Sequence, residues 1–141
     1  METIVVPAFS PGAQDEPPSD KIKVLLVDDH PLVRQGLHTV LNFYPDLEVA
    51  EASNGEEAIL FLEHFKASVV LLDINMPRKN GVQTTAEILS RYQHIKVIGL
   101  WVDCDVVFHE AMKRAGAEKV LSKETVVEDL YEAIKGVLGR S

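Results

Sequence analysis

Three stretches of this sequence are apolar on nearly every consecutive residue: IKVLLV at 22–27, VVLL at 69–72 and IKVIGLWV at 95–102. A strand with one face in water alternates apolar and polar residues. A strand apolar on both faces has to be covered on both. Between the runs the apolar period lengthens to that of a helix. Val33, Leu37, Val40, Leu41 and Tyr44 follow the first run, with Pro31 suited to a helix's first turn. Residues 47–52 read as a short strand, and Asn54 or Ser53 can cap a helix carrying Ala58, Ile59, Leu62 and Phe65. After 69–72 a loop containing Pro77 and Gly81 leads to a helix over 82–92. The strand at 95–102 precedes a helix over 106–115 that ends at Gly116, a residue suited to the left-handed turn after a helix. A short strand at 119–121 follows, and Thr125 can cap a last helix bearing Val127, Leu130, Tyr131, Ile134 and Leu138. Five strands alternating with five helices predict an α/β fold, a doubly wound parallel sheet.

The 141 residues are one domain's worth of chain, yet residues 1–20 stand apart. They hold four of the seven prolines and four acids without a Lys or Arg. From residue 9 this is linker composition, which leaves 21–141 as the folded domain. The net charge of -8 argues against a nucleic-acid or anionic-membrane surface, so neither partner is expected. Cys104 is the single cysteine and cannot form an intrachain disulfide. No apolar run approaches the roughly 20 residues that span a bilayer, and the start lacks the pattern of a secretory signal. A cytoplasmic location is the expectation.

In a doubly wound sheet, ligands bind beyond the carboxyl ends of the strands, near the point where the winding reverses. Those ends carry Asp28-Asp29 after strand one, Asp73 after strand three, Trp101 at strand four and Ser122-Lys123 at strand five. Taken singly, each reads as a turn, a cap or a solvated side chain. Together they bring three carboxylates and a lysine to one rim, where Asp73 is expected to escape the core at its strand's end. Three such carboxylates repel one another unless a divalent cation holds them, and Mg²⁺ prefers oxygen donors. The lysine supplies a point charge suited to a phosphoryl oxygen. Histidines 30, 38, 64, 94 and 109 show no ligand spacing, His30 falling near the first helix's N-terminus. No glycine-rich nucleotide-binding motif is present.

The segments VLLVDDHPLVRQGL, VVLLDINMPRKNGVQ, KVIGL and AGAEKVLSKE, in this order over residues 21–139, resemble the receiver domain of two-component response regulators. That resemblance implies a flavodoxin-like (βα)5 fold with strand order 2-1-3-4-5. It also implies that Asp73 accepts a phosphoryl group from a histidine kinase's phosphohistidine. Asp28 and Asp29 match the acidic pair that holds Mg²⁺ together with Asp73 and the backbone carbonyl of Asn75, and Lys123 matches the lysine that contacts the phosphoryl group. The implied partner is a histidine kinase or a histidine phosphotransfer domain, with a second copy of the chain as a further candidate. The form DDHPLVRQGL is nearest the subgroup often joined to a helix-turn-helix output domain.

Two positions depart from the family. Trp101 stands where receivers usually have Thr or Ser, and Val120 where they have Tyr or Phe. Indole offers one N–H and no hydroxyl, so the usual switch pair is replaced. Trp101 is then a strand-end aromatic at the surface, a cover over the site, or part of another switching route. A receiver that acts without phosphorylation as an interaction module is the corresponding alternative. A third option, an aspartyl-phosphate hydrolase of the haloacid dehalogenase kind, needs a second Asp two residues after the first, where this chain has Asn75. Finally, ETIVVPAF before the Pro-rich segment resembles the last strand of a histidine kinase's ATP-binding domain. On that reading the chain derives from a hybrid kinase with a C-terminal receiver.

Overall fold

A computed structural model of the chain describes residues 21–75, 80–101, 106–125 and 127–139. Among them, strands β1 (Ile22–Val27), β2 (Leu47–Ala52), β3 (Val69–Asp73), β4 (Lys96–Trp101) and β5 (Lys119–Ser122) alternate with five helices. The helices are α1 (Pro31–Leu41), α2 (Gly55–Phe61), α3 (Gly81–Arg91), α4 (Val106–Ala115) and α5 (Val127–Val137). All strand pairs are parallel, in the order 2-1-3-4-5 that the resemblance implied. β1 pairs with β2 on one side and β3 on the other, so the winding reverses between β1 and β3. Asp28 and Asp73 stand at the ends of those two strands.

The continuous apolar runs supply both faces of the sheet. Leu25, Val27, Val70, Leu72 and Val97 pack under Ala58, Ile59, Ile88 and Met112 of α2, α3 and α4. Val24, Leu26, Leu71, Ile98 and Leu100 pack under Leu41, Leu130, Ala133 and Ile134 of α1 and α5. Burying one such aliphatic side chain stabilises by about 1.5–3 kcal/mol, so the two layers fix the strand ends firmly.

Local chemistry sets the helix boundaries. Pro31 occupies the first turn of α1, where a missing N–H costs nothing. The Asn54 side chain caps α2 by accepting from Glu57 N–H at 2.8 Å. Asn80 and Gln83 form a reciprocal capping box at α3. Gly116, with φ 113°, ends α4. Gly81 is required by close approach: its N–H donates to the Ile74 carbonyl at 3.3 Å, and a Cβ there would lie 2.7 Å from Ile74 Cα. The chain after β3 and the start of α3 thus press together.

Several boundaries shift from the sequence expectation, and two of the shifts bear on the packing and the site. β3 runs one residue further, to Asp73 itself. α2 stops at Phe61, although Leu62 and Phe65 still pack on the core. The apolar period continued past the helix because a turn, not a further helical turn, delivers Phe65 to the same face. The N-terminal segment 1–20, including the stretch that resembles a kinase strand in sequence, Pro77 and Cys104 lie outside the described residues. Among the described residues no helix is long and apolar enough to cross a membrane.

Candidate functional site

The loop after β1 turns sharply. The Asp28 N–H donates to the Ala52 carbonyl at 3.2 Å, and Asp28 Oδ1 accepts the His30 N–H at 2.8 Å. Arg34 Nη1 donates to the Asp28 carbonyl at 2.6 Å from the second turn of α1. At β3, Asp73 lies opposite Leu100, and the Ile74 N–H carries on to the Leu100 carbonyl at 2.9 Å. Asp73 Oδ1 accepts the Asn75 N–H at 2.9 Å. Past β5, the Lys123 N–H donates to the Trp101 carbonyl at 2.9 Å, which turns the lysine side chain inward.

These backbone contacts bring the side chains to one focus. Lys123 Nζ lies 2.9 Å from Asp28 Oδ2 and 3.0 Å from Asp73 Oδ2. His30 Nδ1 lies 3.1 Å from Asp28 Oδ1, 3.1 Å from Asp29 Oδ1 and 3.7 Å from Asp73 Oδ2. A cleft of about 230 Å³, lined by His30, Val33, Asp73, Asn75 and Lys123, opens above them. Asp28 is 1% exposed and Asp73 0%, which corrects the expectation that Asp73 escapes the core at its strand's end. The ladder to β4 persists through Asp73, so the carboxylate forms the floor of a pocket rather than part of an exposed rim.

Such burial is costly for an ionised group without full pairing. It pushes the Asp73 carboxyl above its ordinary value, although the Asn75 N–H and the Lys123 ammonium favour the ionised form. For Lys123, burial favours the neutral amine, but the facing Asp28 and Asp73 carboxylates outweigh it and hold the ammonium above its ordinary value. Compensation is still incomplete. Asp28 Oδ2 and Asp73 Oδ2 share the single ammonium of Lys123, and the buried Asp29 Oδ1 has no hydrogen bond among the described residues. Asp28, Asp29, His30 and Asp73 each present a donor atom, all within 4.8 Å of one another. A divalent cation fits this donor set, because unmet carboxylate oxygens are the ligands such ions take.

The sequence placed Asp28, Asp29, Asp73 and Lys123 together, and so does the fold. Asn75 stands at the cleft's edge, exposed. Trp101 is half-buried and set edge-on to His109 of α4, with centroids 5.3 Å apart and planes at 69°. The indole packs against the α2–α3–α4 layer and does not line the cleft above Asp73. Val120 is partly buried in the same layer, opposite Gly99 in the β4–β5 register. His30 is the residue that sequence reasoning missed. Its adjacency to the acidic pair was the available signal, since spacing between histidines says nothing of a mixed nitrogen and oxygen cluster.

A family profile described as response regulator receiver domain matches residues 24–135. The chain is 37% identical over 119 residues to the transcriptional regulatory protein DegU of Brevibacillus brevis, covering 84% of this chain and 50% of that protein. It is 38% identical over 117 residues to the nitrate/nitrite response regulator protein NarL of Escherichia coli strain K12, covering 79% and 52%. The chain therefore spans about half the length of these curated relatives. Among solved structures, the DNA-binding response regulator of the LuxR family from Staphylococcus aureus superposes with a TM-score of 0.76 at 28% identity, over 82% of this chain and 98% of that one.

These names overturn one expectation. The acidic charge was read as setting nucleic acid aside as a partner, yet the relatives are named for transcriptional regulation and DNA binding. The net charge of one domain reports only that domain's surface, and the relatives are about twice as long as the part this chain matches. With the profile match, the strand order and the acidic focus in agreement, the chain belongs to the response regulator receiver domain family.

Proposed function

We propose that this chain is a phosphoacceptor in a two-component relay, with Asp73 taking a phosphoryl group from the phosphohistidine of a histidine kinase or phosphotransfer domain. The observation that carries this reading is the buried carboxylate of Asp73, its Oδ2 set 3.0 Å from Lys123 Nζ on the floor of an open cleft. In the transfer the N–P bond breaks, its electron pair stays on the donor imidazole, and a carboxylate oxygen of Asp73 forms the new O–P bond. Lys123 neutralises charge on the phosphoryl oxygens, and the Asn75 N–H orients the carboxylate. Asp28, Asp29, Asp73 and the Asn75 carbonyl would hold Mg²⁺, which supplies further neutralisation of phosphoryl charge when bound. Asn75 stands where a hydrolase would need its second acid, so the product is a stored acyl phosphate able to bias a two-state surface. A phosphorelay domain of this kind works in the cytoplasm.

A second reading, an interaction domain that works without phosphorylation, draws on one contact. Trp101 at the end of β4 is engaged edge-on with His109 and offers the cleft no hydroxyl. One experiment separates the two. The protein is incubated with Mg²⁺ and acetyl phosphate or beryllofluoride, with intact mass and Trp101 fluorescence recorded. One added phosphoryl group and a fluorescence change, both abolished in Asp73→Ala, support the phosphoacceptor. An unmodified protein whose fluorescence ignores beryllofluoride supports the interaction domain instead.

A further inference from the structure

We propose that His30 is a nitrogen donor of the cation site, so that this site takes divalent transition ions such as Mn²⁺ or Co²⁺ with an imidazole among its ligands. The proposal rests on the reading above that the three carboxylates hold a divalent cation. It concerns which ion they hold and through which atoms.

His30 occupies the N-cap position of α1, where a polar side chain ordinarily accepts from the free N–H groups of the first turn. Its ring makes no such bond. The His30 N–H is tied to Asp28 Oδ1 at 2.8 Å, and the ring turns Nδ1 back over the acids. Nδ1 lies 3.1 Å from Asp28 Oδ1 and 3.1 Å from Asp29 Oδ1. Adjacent donors around an octahedral ion with bonds of about 2.1 Å are separated by about 3 Å, so Nδ1 stands at ligand spacing from both oxygens.

A proton on Nδ1 satisfies one acceptor. The hydrogen bond runs to Asp28 Oδ1, and Asp29 Oδ1, equally near, stays buried without one. An ion at the shared focus would meet all of these lone pairs at once. The His30 side chain is 60% exposed, so the ring stands at the open side of the acidic focus. Imidazole nitrogen suits Mn²⁺, Co²⁺, Ni²⁺ and Zn²⁺, whereas Mg²⁺ prefers oxygen and retained water. The competing arrangement is a protonated His30 serving as a counter-ion that any entering cation displaces.

The full chain, as wild type and as His30→Ala and His30→Gln, is titrated calorimetrically with Mg²⁺, Mn²⁺ and Co²⁺. Pulsed electron spin resonance of bound Mn²⁺ reports directly coordinated nitrogen. The expected result is nitrogen coupling in the wild type only, with the preference for Co²⁺ over Mg²⁺ falling on the order of tenfold in both variants. Absence of nitrogen coupling in the wild type overturns the proposal. So does an equal loss of Co²⁺ and Mg²⁺ affinity, or tighter binding in His30→Ala, which would mark the imidazole as a displaced counter-ion. In those cases Mg²⁺ binding and the beryllofluoride response persist and the phosphoacceptor reading survives. If no divalent ion binds and beryllofluoride is without effect, both fail together.

Discussion

Helix α1 has a charged cluster at each of two places, and they are built from similar groups. Near its N-terminus His30 faces Asp28, Asp29 and Asp73, with Lys123 as the cation. One to two turns further on, His38 and Arg34 grip the two oxygens of Glu51 on β2, Arg34 Nε donating to Oε1 at 2.7 Å and His38 Nδ1 meeting Oε2. The second cluster sets one carboxylate between a guanidinium and an imidazole. Burial pulls the Glu51 carboxyl upward, but its two partners outweigh that and hold it below its ordinary value. In the first cluster the balance is reversed, with three acids to one lysine. A satisfied ion cluster holds structure together. An unsatisfied one, buried at the reversal of a parallel sheet, stores an affinity for something positive.

The largest stability effect should come from discharging the unsatisfied cluster. Without divalent cations, Asp73→Asn is expected to raise stability at neutral pH by about 1 kcal/mol, because it removes an incompletely paired buried charge. The sign follows from the raised carboxyl pKa: ionised Asp73 costs the fold stability, a cost that grows as pH rises through the folded value and vanishes in acid. Urea midpoints should therefore converge at low pH. A variant less stable than wild type at pH 8 would show that Lys123 and Asn75 already compensate the charge.

Glu51→Gln should have the opposite sign and a smaller size. Glu51 and His38 are partly solvated, so screening limits the loss to under about 1 kcal/mol. A carboxyl held low contributes stability above its unfolded value and loses it as pH falls through the lower folded one. The difference between wild type and variant should thus close in acid, and a difference that widened there would contradict the satisfied-cluster picture.

The smallest effect tests satisfaction elsewhere. Tyr131 of α5 stacks on Tyr44, with ring centroids 3.9 Å apart, and donates its hydroxyl to Asp46 Oδ2 at 2.6 Å. That hydrogen bond, with burial and the Asp46 charge behind it, pushes the Tyr131 phenol up to about 12. In an ultraviolet pH titration one of the three tyrosines should ionise last, near that value, and Tyr131→Phe should delete that step. Three tyrosines titrating together would mean that the bond is not held in solution.

Much of this was legible from residue order because parallel sheets write plainly. Strands buried on both faces read as unbroken apolar runs, and the site falls at their ends by topology alone. Asp28, Asp29, Asp73 and Lys123 could be placed together for that reason. The depth of Asp73 could not, since it depends on how far the β3–β4 ladder continues past the last apolar residue. Nor could the direction of the His30 ring, which turns on a backbone hydrogen bond to its neighbour's side chain. The Arg34–His38–Glu51 cluster needed the α1–β2 packing, which no local period announces.

The press of Gly81 against Ile74 bears on how such a domain can diverge. Ile74 after β3 and Gly81 at the start of α3 are joined directly by a hydrogen bond and a side-chain-free contact. When the ends of a loop are fixed by the fold, each doubling of its length adds only about 0.6 kcal/mol of closure entropy. A longer connection between Ile74 and Gly81 would therefore cost little, provided Gly81 keeps its close approach. The molecule thus pairs a contact that only glycine permits with a connection whose length is weakly constrained, so one scaffold can carry different connections at the same place.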